Sequence, residues 1–347
     1  MCDEEACDVT CGAPSSQKSM SLAFVVFPLL SALALKQTAG NAFLAGLGPI
    51  VQKQCPAMFL SAELTPYRIP YTHISAVDST FCNFVAFFHL AFTPEVRPLL
   101  EYFFGTAFAL LAIPAFEAAR PGRHSSLALP VIYGLCMQLF TVAAVLPIYW
   151  LVFIFTGAHR REPQAGISMI SAGHAQAIVF GLIIGVAVPS ACLLVLQDAT
   201  VTALWQLFPV WQYMAQSFHL LLRRPVPQES GFTWIQVLYA ATFMLASSTH
   251  LAFVFGDNNL KAMFVPSFAP RIGAAPNLQV LDLLQWDMGL AFVSTLLATI
   301  SFGKTTTQRF RILLWNIVSS FVVGPGAAIA AVALWRESQL HNIPTTN

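Results

Sequence analysis

The chain has 347 residues, of which 56% are hydrophobic and 10% are charged, and its mean hydropathy is +0.67. This balance excludes an ordinary water-soluble domain and indicates a polytopic membrane protein. The 17 basic and 16 acidic residues give a formal net charge of +1. The sequence therefore lacks the basic surplus typical of nucleic-acid-binding proteins.

The N-terminal segment 1–19 is polar and acidic and lacks the positive region of a cleaved signal peptide. We predict a disordered N-terminal tail over 1–19, a single transmembrane helical domain over 20–335 and a polar C-terminal tail over 336–347. Three of the seven cysteines lie in the first tail, at spacings that match no zinc site. The other four are Cys55, Cys82, Cys136 and Cys192. They are expected to pack as small hydrophobic residues, and the odd total predicts no disulfide framework.

A membrane-spanning helix needs about 20 mostly apolar residues. By this measure the sequence predicts an all-α, polytopic transmembrane helix bundle of seven to nine spans. The predicted spans lie near 20–35, 75–92, 98–119, 126–157, 173–196, 200–222, 233–255, 278–300 and 312–335. The fourth is long enough to be tilted or to break at Pro147. The sixth has a composition that also suits an interfacial or cavity-lining helix.

The segment Lys36–Ile74 contains four prolines and more apolar residues than an ordinary loop. It predicts a re-entrant or membrane-surface piece, provided that protein or water satisfies its backbone. The lysines and arginines divide almost equally between the two sides of a nine-span arrangement. The positive-inside rule therefore leaves the membrane orientation open.

Ionisable residues inside the predicted spans are the candidates for chemistry, because a charge at the bilayer centre costs about 2.5–3.5 kcal/mol on insertion scales. Asp287 lies about ten residues into its span, too deep for a helix cap. It is either a functional acid or one side of a helix–helix hydrogen bond. Asp282 is nearer the start of the same helix.

Two further carboxylates are candidates. Glu117 either pairs with Arg120 at the membrane surface, at i, i+3 spacing, or faces a cavity near that surface. Asp78 shares a helix face with His89, eleven residues later. These two residues either form a shared site, or Asp78 caps the helix start while His89 lies near the far interface.

Several chemical motifs are absent from the sequence. It contains no pair of adjacent aspartates of the kind that binds magnesium and diphosphate, no H-E-x-x-H, no Gly-rich phosphate loop, no G-x-S-x-G and no CxxC. We therefore predict no metal and no cofactor. The chain has 29 phenylalanines, and aromatic faces attract cations by about 0.5–2 kcal/mol each. A neutral, buried carboxylic acid within aromatic walls would suit a carbocation reaction.

Four stretches carry a resemblance to a known family: PIYWLVFIFTG (147–157), VTALWQLFPVW (201–211), FEAARPG (116–122) and LLQWDMG (283–289). They are similar to the fungal integral-membrane terpene cyclases of meroterpenoid biosynthesis, the ascochlorin-, ascofuranone- and macrophorin-type cyclases. The resemblance implies metal-free cyclisation of a farnesyl chain on an aromatic core, started by protonation of a terminal alkene or epoxide. It also implies that Asp287 and Glu117, with Asp78 as a third, are the catalytic carboxylates.

The first hypothesis is therefore an enzyme, an acid-initiated terpene cyclase with a prenylated (farnesyl) small-molecule substrate and membrane lipid as partners. An endoplasmic reticulum location is expected for such an enzyme. The alternatives are a small membrane transporter or lipid-binding protein, and a sterol or lipid isomerase. Transporters often show inverted repeats, and none is visible here. The oligomeric state does not follow from the sequence.

Overall fold

The structure of the chain, a computed structural model, describes residues 14–56, 58, 61, 64–162, 170–256 and 259–341. Within these residues the secondary structure is helical apart from one isolated bridge between Ser171 and Ser230, so the all-α prediction is confirmed. The first half contains α1 (Pro14–Leu35), α2 (Asn41–Ala45), α3 (Leu47–Lys53), α4 (Ser75–Ala91), α5 (Arg97–Thr106), α6 (Phe108–Ala119), α7 (Pro130–Phe140) and α8 (Val142–Phe155). The second half contains α9 (Ala172–Leu182), α10 (Val188–Leu196), α11 (Ala199–Trp205), α12 (Phe208–Leu222), α13 (Phe232–Val254), α14 (Leu260–Phe264), α15 (Pro276–Ile300), α16 (Thr306–Val322) and α17 (Pro325–His341).

Five helical segments in the described part of the chain are long and apolar enough to cross a membrane. They are Leu22–Ala45, Arg97–Ala119, Ala172–Leu196, Phe232–Val254 and Pro276–Ile300. Two shorter apolar helices are α7 and α8. Many large apolar side chains of these helices are exposed on the outside of the bundle, as expected for a surface that faces lipid. The prediction of an integral membrane helix bundle is confirmed.

Contacts between loops define two ends of the bundle. At the first, which we call the arginine-rich end, Arg161 donates to the Pro121 carbonyl at 3.1 Å and Arg336 to the Ala158 carbonyl at 3.0 Å. At the opposite end, Gln279 donates to the Ala45 carbonyl at 3.3 Å. The helix α15 therefore starts at the opposite end, and Asp287 lies near its middle.

The predicted fourth span is divided into two antiparallel helices. It breaks at Thr141, which has a φ of +95°, whereas Pro147 lies inside α8. The expected break at Pro147 is therefore wrong. The rings of Tyr133 and Tyr149, each eight residues from the break, lie 5.1 Å apart. The helices α7 and α8 thus form a hairpin with both outer ends at the arginine-rich end and its tip inside the bundle.

The predicted sixth span is also interrupted, between α11 and α12. Asp198 caps α11 by accepting hydrogen bonds from the Thr200 and Val201 N–H groups at 2.8 and 3.1 Å. Gln206 and Leu207 separate the two helices, and Pro209 lies in the first turn of α12, where proline is tolerated. The interruption places Gln206 inside the protein.

A disulfide joins Cys55, which follows α3, to Cys82 in α4. The expectation that these cysteines pack only as small hydrophobic residues is wrong. The number and spacing of the cysteines did not predict this pair, because two cysteines 27 residues apart in the sequence meet only in the folded chain. We call the end of the bundle that carries it the disulfide end, which also includes Ala45. Cys136 and Cys192 are free thiols.

The helices at the chain ends extend into the predicted tails. Helix α1 begins at Pro14, and residues 1–13 of the predicted N-terminal tail lie outside the described residues. Helix α17 runs to His341 and buries Arg336 and Glu337, and residues 342–347 lie outside the description.

Candidate active site

A cavity with a volume of about 770 Å³ lies in the described part of the chain. It extends from the hairpin tip to the disulfide end, and α2 to α5, α7, α11 and α15 contribute to its wall. Nine aromatic side chains line it: Phe43, Phe84, Phe87, Phe88, Phe103, Phe104, Phe108, Trp205 and Phe208. This volume lies within the range of about 300–1,000 Å³ typical of small-molecule sites.

Asp287 lines this cavity and is the one predicted catalytic carboxylate that does so. Its side chain is buried, with 7% of the residue exposed. Its Oδ1 accepts a hydrogen bond from the Ala143 N–H at 2.7 Å, and the Thr141 hydroxyl and the Val142 N–H donate to the same carboxyl. All three donors lie at the tip of the α7–α8 hairpin.

The hairpin tip presents these donors because α8 begins inside the bundle. The first N–H groups of a helix have no partner within it and carry a partial positive charge. Thr141 precedes α8 with a φ of +95°, a backbone conformation that residues other than glycine rarely adopt. Such strain persists where the surroundings enforce it and occurs often at functional sites. Asp287 therefore pairs with the otherwise unpaired N–H groups at the buried start of α8 and is held in one orientation.

Both predicted readings of Asp287 thus have a counterpart in the structure. The helix–helix hydrogen bond exists, and two of its three donors are backbone N–H groups. The same carboxyl also faces an aromatic cavity. A group that is oriented by fixed donors and open to a substrate space can serve as an acid.

The aromatic wall is ordered around Trp205. Its indole N–H donates to the Ser190 hydroxyl at 2.9 Å. The rings of Phe88, Phe104 and Phe208 surround it at centroid distances of 4.9, 5.2 and 5.4 Å. Rings packed in this way present fixed faces to the cavity, and such faces can stabilise a cation.

Glu117 lies outside the cavity, in a buried ionic cluster. Its Oε1 accepts from Arg120 Nε and from Arg336 Nη1, both at 2.6 Å, and Arg120 also pairs with Glu337. Glu117 and Arg120 are each 1% exposed. The predicted i, i+3 pair with Arg120 is therefore present, and it is buried inside the protein at the arginine-rich end. Two carboxylates and two guanidinium groups neutralise one another in this cluster.

His159 lies beside this cluster, just after α8. Burial, followed by the nearby positive charges of Arg160, Arg309 and Arg336, lowers the pKa of His159 to about 4. The imidazole is therefore neutral near pH 7.

Asp78 lies in the first turn of α4 and also outside the cavity. Its Oδ1 accepts from the N–H and the hydroxyl of Thr72, both at 2.7 Å, so it ties the helix start to the preceding loop. His89 instead packs against the Tyr67 ring at a centroid distance of 4.6 Å. Asp282 pairs with Arg271 at 2.5 Å. The structure does not bring Asp287, Glu117 and Asp78 together.

The cavity residues that were not predicted from the sequence include Thr141, Gln206 and Asn83. Gln206 belongs to the sixth predicted span, whose composition suited a cavity-lining helix. Thr141 is a threonine between two apolar runs and carries no local signal of its backbone break.

Comparison with known proteins gives one family and one distant relative. A family model described as the CtvD domain matches residues 22–340. A curated protein from Penicillium polonicum, named FAD-dependent monooxygenase verC1, is 22% identical over 258 residues. The match covers 67% of this chain and 31% of verC1, so this chain spans about a third of the length of that relative. No solved structure matches.

Proposed function

This chain belongs to the CtvD domain family, and on that premise we propose that it is a membrane-embedded terpene cyclase of fungal secondary metabolism that needs no metal. In this proposal, Asp287 protonates a terminal alkene or epoxide of a farnesyl chain on a meroterpenoid precursor. The aromatic walls then guide the carbocation through cyclisation. The observation that carries the proposal is the Asp287 carboxyl in an aromatic cavity of about 770 Å³.

The reaction is balanced without a further reactant. The Asp287 carboxylic acid gives its proton to the alkene, or to the epoxide oxygen as one C–O bond breaks, and a carbocation forms. An internal alkene attacks this cation to form a C–C bond. The final cation loses a proton to the Asp287 carboxylate, or a hydroxyl of the substrate captures it and the released proton returns to Asp287. The product is an isomer of the substrate.

The aromatic residues support a cationic intermediate. Nine rings line the cavity, and an attraction of about 0.5–2 kcal/mol for each well-placed ring is enough to favour one path of the cation over another. Glu117 and Asp78 have their own partners outside the cavity. We therefore assign them to the stability of the fold and Asp287 to the chemistry.

The relative supports an epoxide as the group that is protonated. The name of verC1 describes an FAD-dependent monooxygenase, a class of enzyme that can add one oxygen atom to an alkene. An epoxide produced by such a step is opened readily by an acid. The present sequence has no Gly-rich phosphate loop, so we propose the acid step, and not the flavin step, for this chain.

We also propose that the protein lies in the endoplasmic reticulum membrane, with the disulfide end in the lumen. Disulfides persist in oxidising compartments such as this lumen. Basic residues are more frequent on the cytoplasmic side of membrane proteins, and eleven of the 17 lysines and arginines lie at the arginine-rich end. They are Lys18, Arg120, Arg123, Arg160, Arg161, Arg223, Arg224, Lys304, Arg309, Arg311 and Arg336. The six at the disulfide end are Lys36, Lys53, Arg68, Arg97, Lys261 and Arg271.

The test is product analysis by mass spectrometry. Microsomes from yeast that express the chain are given a farnesylated phenol or, separately, its terminal epoxide. The expected result is a product of equal mass and different retention from the epoxide, with microsomes lacking the chain as the control. If neither substrate yields an isomer while the protein is present and shows a cooperative thermal transition, the proposed function is wrong.

A further inference from the structure

Gln206 is a buried amide without a hydrogen-bond partner in the cavity wall. It is 3% exposed and lines the cavity. Among the described residues, neither its side-chain nitrogen nor its side-chain oxygen has a partner. Buried polar groups are almost always paired, so each exception calls for an explanation. A ligand that enters the cavity could satisfy both atoms.

The position of Gln206 is fixed by its neighbours. Its backbone N–H bonds to the Thr202 and Ala203 carbonyls at 3.3 and 3.2 Å. The preceding residue, Trp205, is held by Ser190. The amide is therefore placed by a rigid break between α11 and α12, as expected for a group that recognises a ligand.

Asn83 supplies a second unpaired atom in the same cavity. It belongs to α4, which packs against α11, and its side-chain oxygen is buried without a partner. Together, Gln206 and Asn83 offer an unpaired N–H donor and two unpaired acceptor oxygens. A hydroxyl group both donates and accepts a hydrogen bond, so it matches this set, whereas a purely hydrocarbon ligand would leave these atoms unpaired.

We propose that Gln206, assisted by Asn83, binds a hydroxyl group on the head of an otherwise apolar ligand. The ligand class is thus a phenol or alcohol with a long hydrocarbon chain. That this ligand is the substrate of Asp287 rests on the proposed function. The two sites lie on different walls of the cavity, on α15 for Asp287 and just after the end of α11 for Gln206. Binding of the head at Gln206 leaves the chain to extend along the phenylalanines.

The experiment measures binding with ligands that cannot react. One is a phenol with a fully saturated farnesyl chain, and the other is the same molecule without the hydroxyl. Their affinities for the full-length protein in detergent are determined from ligand-dependent thermal shifts. The parent is expected to bind the phenol roughly ten to a hundred times more tightly, the range for a hydrogen bond to an otherwise unpaired buried group.

The variant Gln206→Leu is expected to bind both ligands equally. Gln212→Leu is the matched control and is expected to keep the preference, because Gln212 is a buried glutamine six residues later, in α12, and lies outside this cavity. Without ligand, Gln206→Leu is expected to be at least as stable as the parent, because it removes an unpaired amide. A purely structural role for Gln206 would instead lower the stability. If Gln206→Leu does not fold, Gln206→Met has an unbranched apolar side chain and serves as the second variant.

Two results would overturn the inference. Equal binding of both ligands by the parent would show that a ligand hydroxyl does not pair with these amides. A folded Gln206 variant that still prefers the phenol would place the recognition elsewhere. The proposed function fails separately. If the parent prefers the phenol and Gln206→Leu does not, but no substrate is cyclised, then the hydroxyl site stands and the cyclase proposal does not.

Discussion

Replacing Asp287 by asparagine separates the two roles of this carboxyl. Asparagine has nearly the same shape, and its amide oxygen can still accept the hydrogen bond that Asp287 receives from Ala143 at 2.7 Å. It cannot donate an acidic proton. If Asp287 starts the reaction, Asp287→Asn should fold normally and lose about 10²- to 10⁴-fold in rate, the usual contribution of a general acid.

The structure also fixes the expected stability of the variants. Asp287 accepts donors at the start of α8, and removing a helix cap costs about 0.5–2 kcal/mol. Asp287→Ala should therefore lose both activity and this amount of the free energy of unfolding. Asp287→Asn should lose mainly activity. A comparison of the two variants distinguishes a catalytic group from a structural cap.

The assay is isomer formation from the farnesylated phenol and its epoxide in microsomes, normalised to the amount of folded protein. The matched control is Asp282→Asn, the same substitution five residues earlier on α15. Asp282 pairs with Arg271 outside the large cavity, so this variant should keep most of the activity. An Asp287→Asn protein that works at about the parent rate would refute the assignment of Asp287 as the acid.

Three further predictions concern the rest of the fold. Replacing Cys55 and Cys82 by serine removes a cross-link between residues 27 apart, which should cost about 3.5 kcal/mol by the chain-entropy relation. Non-reducing against reducing thermal melts check this value, and identical melts would contradict the pairing. Glu117→Gln removes the buried negative charge that pairs with Arg120 and Arg336. It should lower the free energy of unfolding by about 3–5 kcal/mol, with little change in rate per folded molecule. A large loss of rate in a stable Glu117→Gln protein would return Glu117 to the chemistry. Because the pKa of folded His159 is about 4, below its usual value near 6.5, the unfolded chain binds this proton first as the pH falls. Stability should then decrease between about pH 6.5 and 4, and His159→Gln should weaken this dependence in thermal melts. An unchanged slope in the variant would rule out His159 as its source.

The sequence by itself determined the class of protein and pointed to Asp287 as the leading candidate acid. Hydropathy and helix length are local properties, and a chain in lipid must satisfy its backbone within each helix. The apolar runs therefore identified a helical membrane bundle before any contact was known. Asp287 was identified for the same reason, since its depth within an apolar run can be counted along the chain.

Only the tertiary structure decided what each polar group contacts. Asp287 meets Ala143 across 144 residues, and Glu117 meets Arg336 across 219 residues. No local pattern encodes such pairings. The break at Thr141 was hidden because its strained backbone is imposed by packing and not by the propensity of threonine. The unpaired amide of Gln206 became visible only once a cavity formed around it, because whether a polar atom has a partner depends on the whole fold.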